Sequence, residues 1–350
     1  MRHDRTGLSL IMKKNVILYG SLTVLTLLVM LLCVCLGSVA IPLSTTLRVL
    51  WLALTGQAIP DGMYGGILLS IRLPRILCVA LEGASLSLCG AAMQGLLRNP
   101  LADGSTLGVS SGASLGAAVA ILTGFTLPGF ALGGTTVLAI GFAFGAMAAI
   151  MSLSLAIDRG LATNTIILMG TVFSMLVTAV LSLLIVCAGE KMKTITYWTM
   201  GSLSGAGYPA AALLACSLAV CGAVLMSQRN ALNALAMGES QALHLGVNVR
   251  RVKLTIMAAV SVLIGVCVSV GGGIGFVGLV TPHVVRRLLG PDHRRLLPAA
   301  VFGGAIFLLL CDMVSRTIFS PNELPVGVVT SIIGACVFVV IFARTGRSGR

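Results

Sequence analysis

The sequence predicts an all-α polytopic membrane protein of about ten transmembrane helices, with both termini cytoplasmic. Three observations predict it. Hydrophobic residues make up 57% of the 350 residues and charged residues only 9%, where a water-covered surface needs roughly 25%. Ten stretches approach the ~20 apolar residues that cross a bilayer. Lys and Arg concentrate on one side of the ladder those stretches define.

The first stretch, 15–37, follows Lys13-Lys14 and ends at Ser38-Val39-Ala40 in the manner of a secretory signal. It exceeds the ~7–15 residues of a signal core and reads as an uncleaved span. Residues 1–14 form a cytoplasmic tail, with Met12 an alternative start. Further spans fall at 73–96, 105–123, 132–156, 165–187, 209–227, 253–271, 275–289, 297–315 and 325–343, the eighth being short. Residues 15–343 form one transmembrane domain, and 344–350 a second cytoplasmic tail. Between spans, 38–71 holds a weakly amphipathic piece, TTLRVLWLAL. Residues 188–208 suit an interfacial helix with Tyr197 and Trp198 at headgroup depth. The long inner loop 228–252 carries apolar residues at helical spacing and reads as a short helix outside the bilayer.

An even span count places both ends on one side. With those ends inside, 17 of the 23 Lys and Arg lie inside. The six outside are Arg48, Arg72, Arg75, Lys191, Lys193 and Arg316. The net charge of +13 is therefore read as basic cytoplasmic loops in an inner (cytoplasmic) membrane and not as nucleic-acid binding. The ten Cys fall almost entirely in apolar runs without C-x-x-C pairs, as small packing residues do. No His or Cys cluster has metal-ligand spacing, so no metal is expected. His283, beside Pro282, reads as part of a structural kink.

Gly108–Gly112 reads GVSSG, matching the G-x-S-x-G elbow of serine hydrolases. That elbow needs a strand before it and a helix after it within an α/β sheet. Here a polar turn precedes and a membrane span follows. Gly108, Gly112 and Gly116 recur every four residues, which is the spacing of a close-packing helix face. No Gly-Lys pair occurs anywhere, so the chain has no phosphate-binding loop, and any ATP and Mg are held by another polypeptide.

The run RLPRILCVALEGASLSLCGAAMQGLLRNPLADGSTLGVSSGASLGA (72–117) resembles the FecCD-type permeases of ABC importers, which take up iron–siderophores, haem, cobalamin and related metal chelates. The resemblance continues in YWTMGSLSGA (197–206), MGESQALHLGV (237–247), GGIGFVGLVTPHVVRRLLGPDHRRLLPAA (272–300) and ELPVGVVTSIIGA (323–335). It implies a cobalamin-importer-like fold of ten spans. It also implies a dimer of permease copies (homodimer or heterodimer), two ATPase subunits, an extracytoplasmic substrate-binding protein, and no enzyme chemistry in this chain. By that resemblance Gly238, Glu239, Ala242, Leu245 and Gly246 belong to a coupling helix for the ATPase. Arg72, Arg75 and Arg316 match positions that dock the binding protein, although arginines snorkelling to lipid phosphate would read the same way. Asn99, Leu101, Thr163 and Asn164 match the region of the cytoplasmic gate.

Two places depart from the family pattern. Glu82 is an intramembrane carboxylate, a candidate for substrate contact along the path, for a buried partner, or for pairing with Arg75 two turns earlier. Asp312 is placed to pair with Arg316 four residues on. Ala335-Cys336 stands where Ala-Pro is common, which leaves the bend of the last span open. The alternative of another class is a secondary transporter or channel driven by an ion gradient. That calls for several intramembrane acids at broken helices, for which only Glu82 and Asp312 qualify.

Overall fold

The computed structural model describes residues 3–348 other than 38, 40, 61, 63, 105–107, 128–132 and 159–161, with side chains for 15–340. Residues 1–2, 105–107, 132, 159 and 349–350 of the predicted segments and tails lie outside that set. Among the described residues the chain is helical, without strands. Helix α1 (His3–Cys35) is followed by short α2 (Leu43–Leu54), then by a π-helical turn (Ile67–Arg72) that runs directly into α3 (Leu73–Leu97). Next come α4 (Val109–Thr123), α5 (Gly133–Ile157), α6 (Thr163–Cys187), α7 (Met192–Thr199) and α8 (Tyr208–Ser227). Two short helices, α9 (Arg229–Ala236) and α10 (Glu239–His244), precede α11 (Val249–Gly271), α12 (Val277–Leu289), α13 (His293–Thr317) and α14 (Val326–Ser348).

Each of the ten predicted segments corresponds in order to a helix, and seven of these are long and apolar enough to cross a membrane. Helices α4 and α12, with 15 and 13 residues, reach only about 22 and 20 Å at 1.5 Å per residue. The packing explains both. Pro100 cannot continue α3, and Arg98 ends it in the left-handed region (φ 47°). The chain then climbs back along α11, because Gly104 lies against Ile264, well inside that helix. Helix α4 therefore starts inside the bundle and covers only the remaining depth. Helix α12 also starts inside, since Gly278 sits against Gly90, deep in α3.

The centre of the bundle is α3, where 83% of the residues in the most apolar stretch of the span are buried, backed by α11 at 72%; in α1 and α6 the shares are 6% and 11%, and these helices form the periphery. Lipid tails are as apolar as the side chains, so close backbone approach does the work that water exclusion does in soluble cores. A Cβ on Gly83 would run into the Gly304 carbonyl of α13, and one on Gly90 into the Gly278 carbonyl of α12. Gly112 and Gly116 of α4 lie the same way against α5, at the Phe142 and Leu138 carbonyls. Gly108 is outside that helical face: it caps α4 with φ 67°, a conformation glycine adopts without a Cβ clash.

Several predicted boundaries shift. The inner loop forms two helices instead of one, and its last residues, from Val249, already belong to α11. The predicted tails are in part helical, as extensions of α1 from His3 and of α14 to Ser348. Helix α14 runs on through Ala335-Cys336. Pro282 lies within α12, and the neighbouring His283 ring meets Phe338 of α14 edge-on. Helix α7 forms at the expected interfacial segment, with Tyr197 exposed and the Lys193 ammonium over its ring. All ten cysteines are free thiols.

Candidate coupling surface and intramembrane chamber

Helices α9 and α10 make a platform at one end of the bundle. Gly238 (φ 125°) and Gly246 (φ 79°) bracket α10, allowing the chain to reverse on both sides of a six-residue helix. Ala242 is fully buried and seats α10 on its neighbours, while Met237, Leu243 and Leu245 are 57–62% exposed.

Glu239 is the link from this platform into the bundle. Its Oε1 accepts hydrogen bonds from Lys253 Nζ at 2.9 Å and from Thr163 Oγ1 at 3.3 Å. Lys253, in the second turn of α11, is 1% exposed; Thr163 begins α6. One carboxylate thus touches the ends of two long helices. The other residues expected near the gate gather at the same end. Asn99 Oδ1 accepts the Leu101 N–H at 2.9 Å, folding the turn after α3. Leu101 and Asn164 are exposed, and the Arg98 guanidinium lies beside Gly238. Sequence reasoning counted Lys253 only among inner basic residues. Its one distinguishing sign was its place a turn inside an apolar helix.

The platform is also tied to α13. Asn233 of α9 donates to Asp292 Oδ1 at 2.6 Å and accepts the His293 N–H at 2.9 Å. Asp292 caps α13 through the Arg294 N–H at 2.9 Å. Partial burial pushes the Asp292 carboxyl up, but the bonds from Arg294 and Asn233, with the Arg294 and Arg295 charges, outweigh it and hold the group below the usual carboxylate range.

At the opposite end the three predicted docking arginines are buried, at 6, 8 and 4% exposure for Arg72, Arg75 and Arg316. Arg72 donates to the carbonyls of Val34, Cys35 and Val39. Arg75 pairs with Asp312 at 2.9 Å and Glu323 at 2.8 Å. Arg316 pairs with Asp312 at 2.9 Å and donates to the Leu36 and Cys33 carbonyls. These donors brace the end of α1 against α3 and α13. An acidic partner could engage Arg75 or Arg316 only by displacing Asp312 or Glu323. Pairing of Arg75 with Glu82 does not occur, because Asp312 of α13 reaches Arg75 first.

Glu82 instead borders a partly open pocket of about 210 Å³, bounded by α3, α11, the 272–276 segment and the first turns of α4 and α12. Ser110 of the GVSSG stretch lines this chamber and is half-buried.

The description "FecCD transport family" matches residues 25–344. The chain belongs to the FecCD transport family. It is 39% identical over 327 residues to the hemin transport system permease protein HmuU of Yersinia pestis, covering 92% of this chain and 96% of that one. It is 43% identical over 316 residues to the ABC transporter permease YvrB of Bacillus subtilis (strain 168), covering 90% of each. A solved metal-chelate type ABC transporter in an inward-facing conformation superposes with TM-score 0.81 at 31% identity, covering 94% of this chain and 99% of that one. As a FecCD protein the chain is a multi-pass ABC-transporter permease, a transport subunit.

Proposed function

We propose that this FecCD permease is the membrane subunit of an ATP-driven importer in a bacterial cytoplasmic membrane, carrying an iron–siderophore or a related metal chelate such as haem or cobalamin. Two copies enclose the path, two ATPases sit under the α9–α10 platform, and an extracytoplasmic binding protein delivers the cargo at the opposite end. ATP and Mg belong to the ATPases; this chain binds neither.

The observation that carries this reading is the Glu239 junction. Exposed Met237, Leu243 and Leu245 offer an apolar seat to the ATPase. Movement of α10 is transmitted through Glu239 to Lys253 in the second turn of α11 and to Thr163 at the start of α6. Thr163 and Asn164, with Asn99 and Leu101 across the turn, then open or close the inner end of the path. Rigid-body displacement of helices is a common way to alternate access. At the other end, Arg72, Arg75 and Arg316 serve the binding protein by bracing the surface it meets, with half-exposed Glu323 at its edge.

Uptake tests the reading. Proteoliposomes holding this chain, the ATPase encoded with it and the adjacent binding protein should accumulate radiolabelled ferric siderophore only with ATP inside. Accumulation driven by a sodium or proton gradient without the ATPase would overturn it in favour of a secondary transporter. Haem or cobalamin accumulating in place of the ferric siderophore would reassign the cargo.

A further inference from the structure

Glu82 has no exposed surface, and neither of its carboxyl oxygens has a hydrogen-bond partner. Both oxygens press against Gly271, the last residue of α11, where a Cβ would collide with them. The side chain borders the 210 Å³ pocket, which has room for several waters at about 30 Å³ per water, with its two oxygens closed off from that space. Among the described residues the walls hold no Lys, Arg or His.

The titratable groups facing the chamber besides Glu82 are Cys89 of α3, Cys267 of α11 and Asp103 of the re-entrant segment, and Cys78 lies one turn from Glu82 on α3. Helices α4 and α12 and the 272–276 segment bring none. No backbone N–H group bonds the carboxyl. A bare carboxylate so placed costs several kcal/mol, and intramembrane acids without a protein partner mark ion or proton sites. Among the described residues no three His, Cys, Asp or Glu converge as a metal centre, which excludes a multidentate transition-metal site there.

We propose that the Glu82 chamber is a site for a single positive charge, in which one carboxylate binds an alkali cation or a proton drawn from the chamber. The bound charge locks Glu82 against Gly271 and so holds the junction of α3, α11 and α12. The site is independent of which chelate is carried.

The test uses the full chain purified in detergent and reads its thermal unfolding midpoint. In one arm, sodium or potassium chloride replaces choline chloride at constant ionic strength and pH 8. In the other, choline is kept and the pH is lowered. The wild type should gain several degrees in the alkali arm if the source is a metal cation, or in the acid arm if it is a proton. Glu82→Gln should be flat in the responding arm. Parallel responses of wild type and Glu82→Gln in both arms overturn the proposal. Infrared difference spectra of the wild type decide it if Glu82→Gln does not fold. A buried protonated-carboxyl band, or a carboxylate band shifted by sodium, supports the site, and the absence of both overturns it.

Discussion

Replacing Asp312 by Asn should be among the most damaging conservative changes in the molecule. Asp312 is fully buried and lies between two buried guanidiniums, Arg75 and Arg316, each at 2.9 Å. Asn keeps the volume and removes the charge that both arginines share. Breaking a buried ion pair from one side costs about 3–5 kcal/mol. Here Arg75 retains Glu323, and Arg316 retains two backbone carbonyls. The expected loss is therefore at the low end, about 3 kcal/mol, or roughly a hundredfold in the folding equilibrium. Glu323→Gln removes a partner whose side chain is 34% exposed and should cost under about 1 kcal/mol. Reversible unfolding in mixed micelles of rising SDS fraction measures both. If Asp312→Asn costs no more than Glu323→Gln, the outer charges are screened or hydrated despite their burial, and the bracing role given to the three arginines fails.

Other outcomes follow from the same geometry. Gly112→Leu should prevent folding or abolish transport, because a Cβ there already meets the Phe142 carbonyl at 2.9 Å, whereas Ser110→Ala should leave transport nearly intact; radiolabel uptake with a folding check by gel filtration compares them. Leu245→Glu should abolish ATPase co-purification while the permease still folds, since that side chain is 62% exposed and holds nothing in place. Lys253→Met should leave ATPase binding in place but lower uptake per ATP hydrolysed, as the link from α10 to α11 is lost. Asp292 has a folded-state affinity for protons below its ordinary value, so its stabilising bonds are fully present above the ordinary aspartate pKa of 3.8 and fade as pH falls through the lower folded value. The gap in unfolding midpoint between wild type and Asp292→Asn should accordingly narrow only in acid, and a gap that widens in acid would reverse the sign of that reasoning.

The helices were legible because apolar length and polar interruption are written along one chain. Ten segments could be marked from Leu, Val, Ala and Gly runs alone. The depth at which α4 and α12 begin was not legible, since it depends on which helix the re-entrant chain climbs. Gly104 against Ile264 is a contact between distant parts of the sequence. The same limit governs the charges. Asp312 with Arg316 lies within one helix and follows from spacing. Arg75 with Asp312 and Lys253 with Glu239 cross between elements and leave no periodic trace. Arg75 and Glu82 share a helix and two turns of spacing, yet another helix supplies the nearer acid. Burial of the three arginines was likewise invisible, because a basic residue at the end of a span looks the same whether it faces lipid, partner or its own backbone.

The glycine notches along α3 bear on what sequences this bundle can accept. Gly83 faces Gly304 and Gly90 faces Gly278, each pair meeting backbone to backbone. Neither member can gain a methyl group unless two helices move apart, and spreading them at one notch disturbs the other, a few turns along the same rod. A compensating change is hard to find, because the obstacle is a carbonyl and not a side chain that could be trimmed. Drift in this protein is therefore channelled outward, away from α3, to helices such as α1 that are little buried within the chain. Along α3 the chain is left with few single-step alternatives to the residues it has.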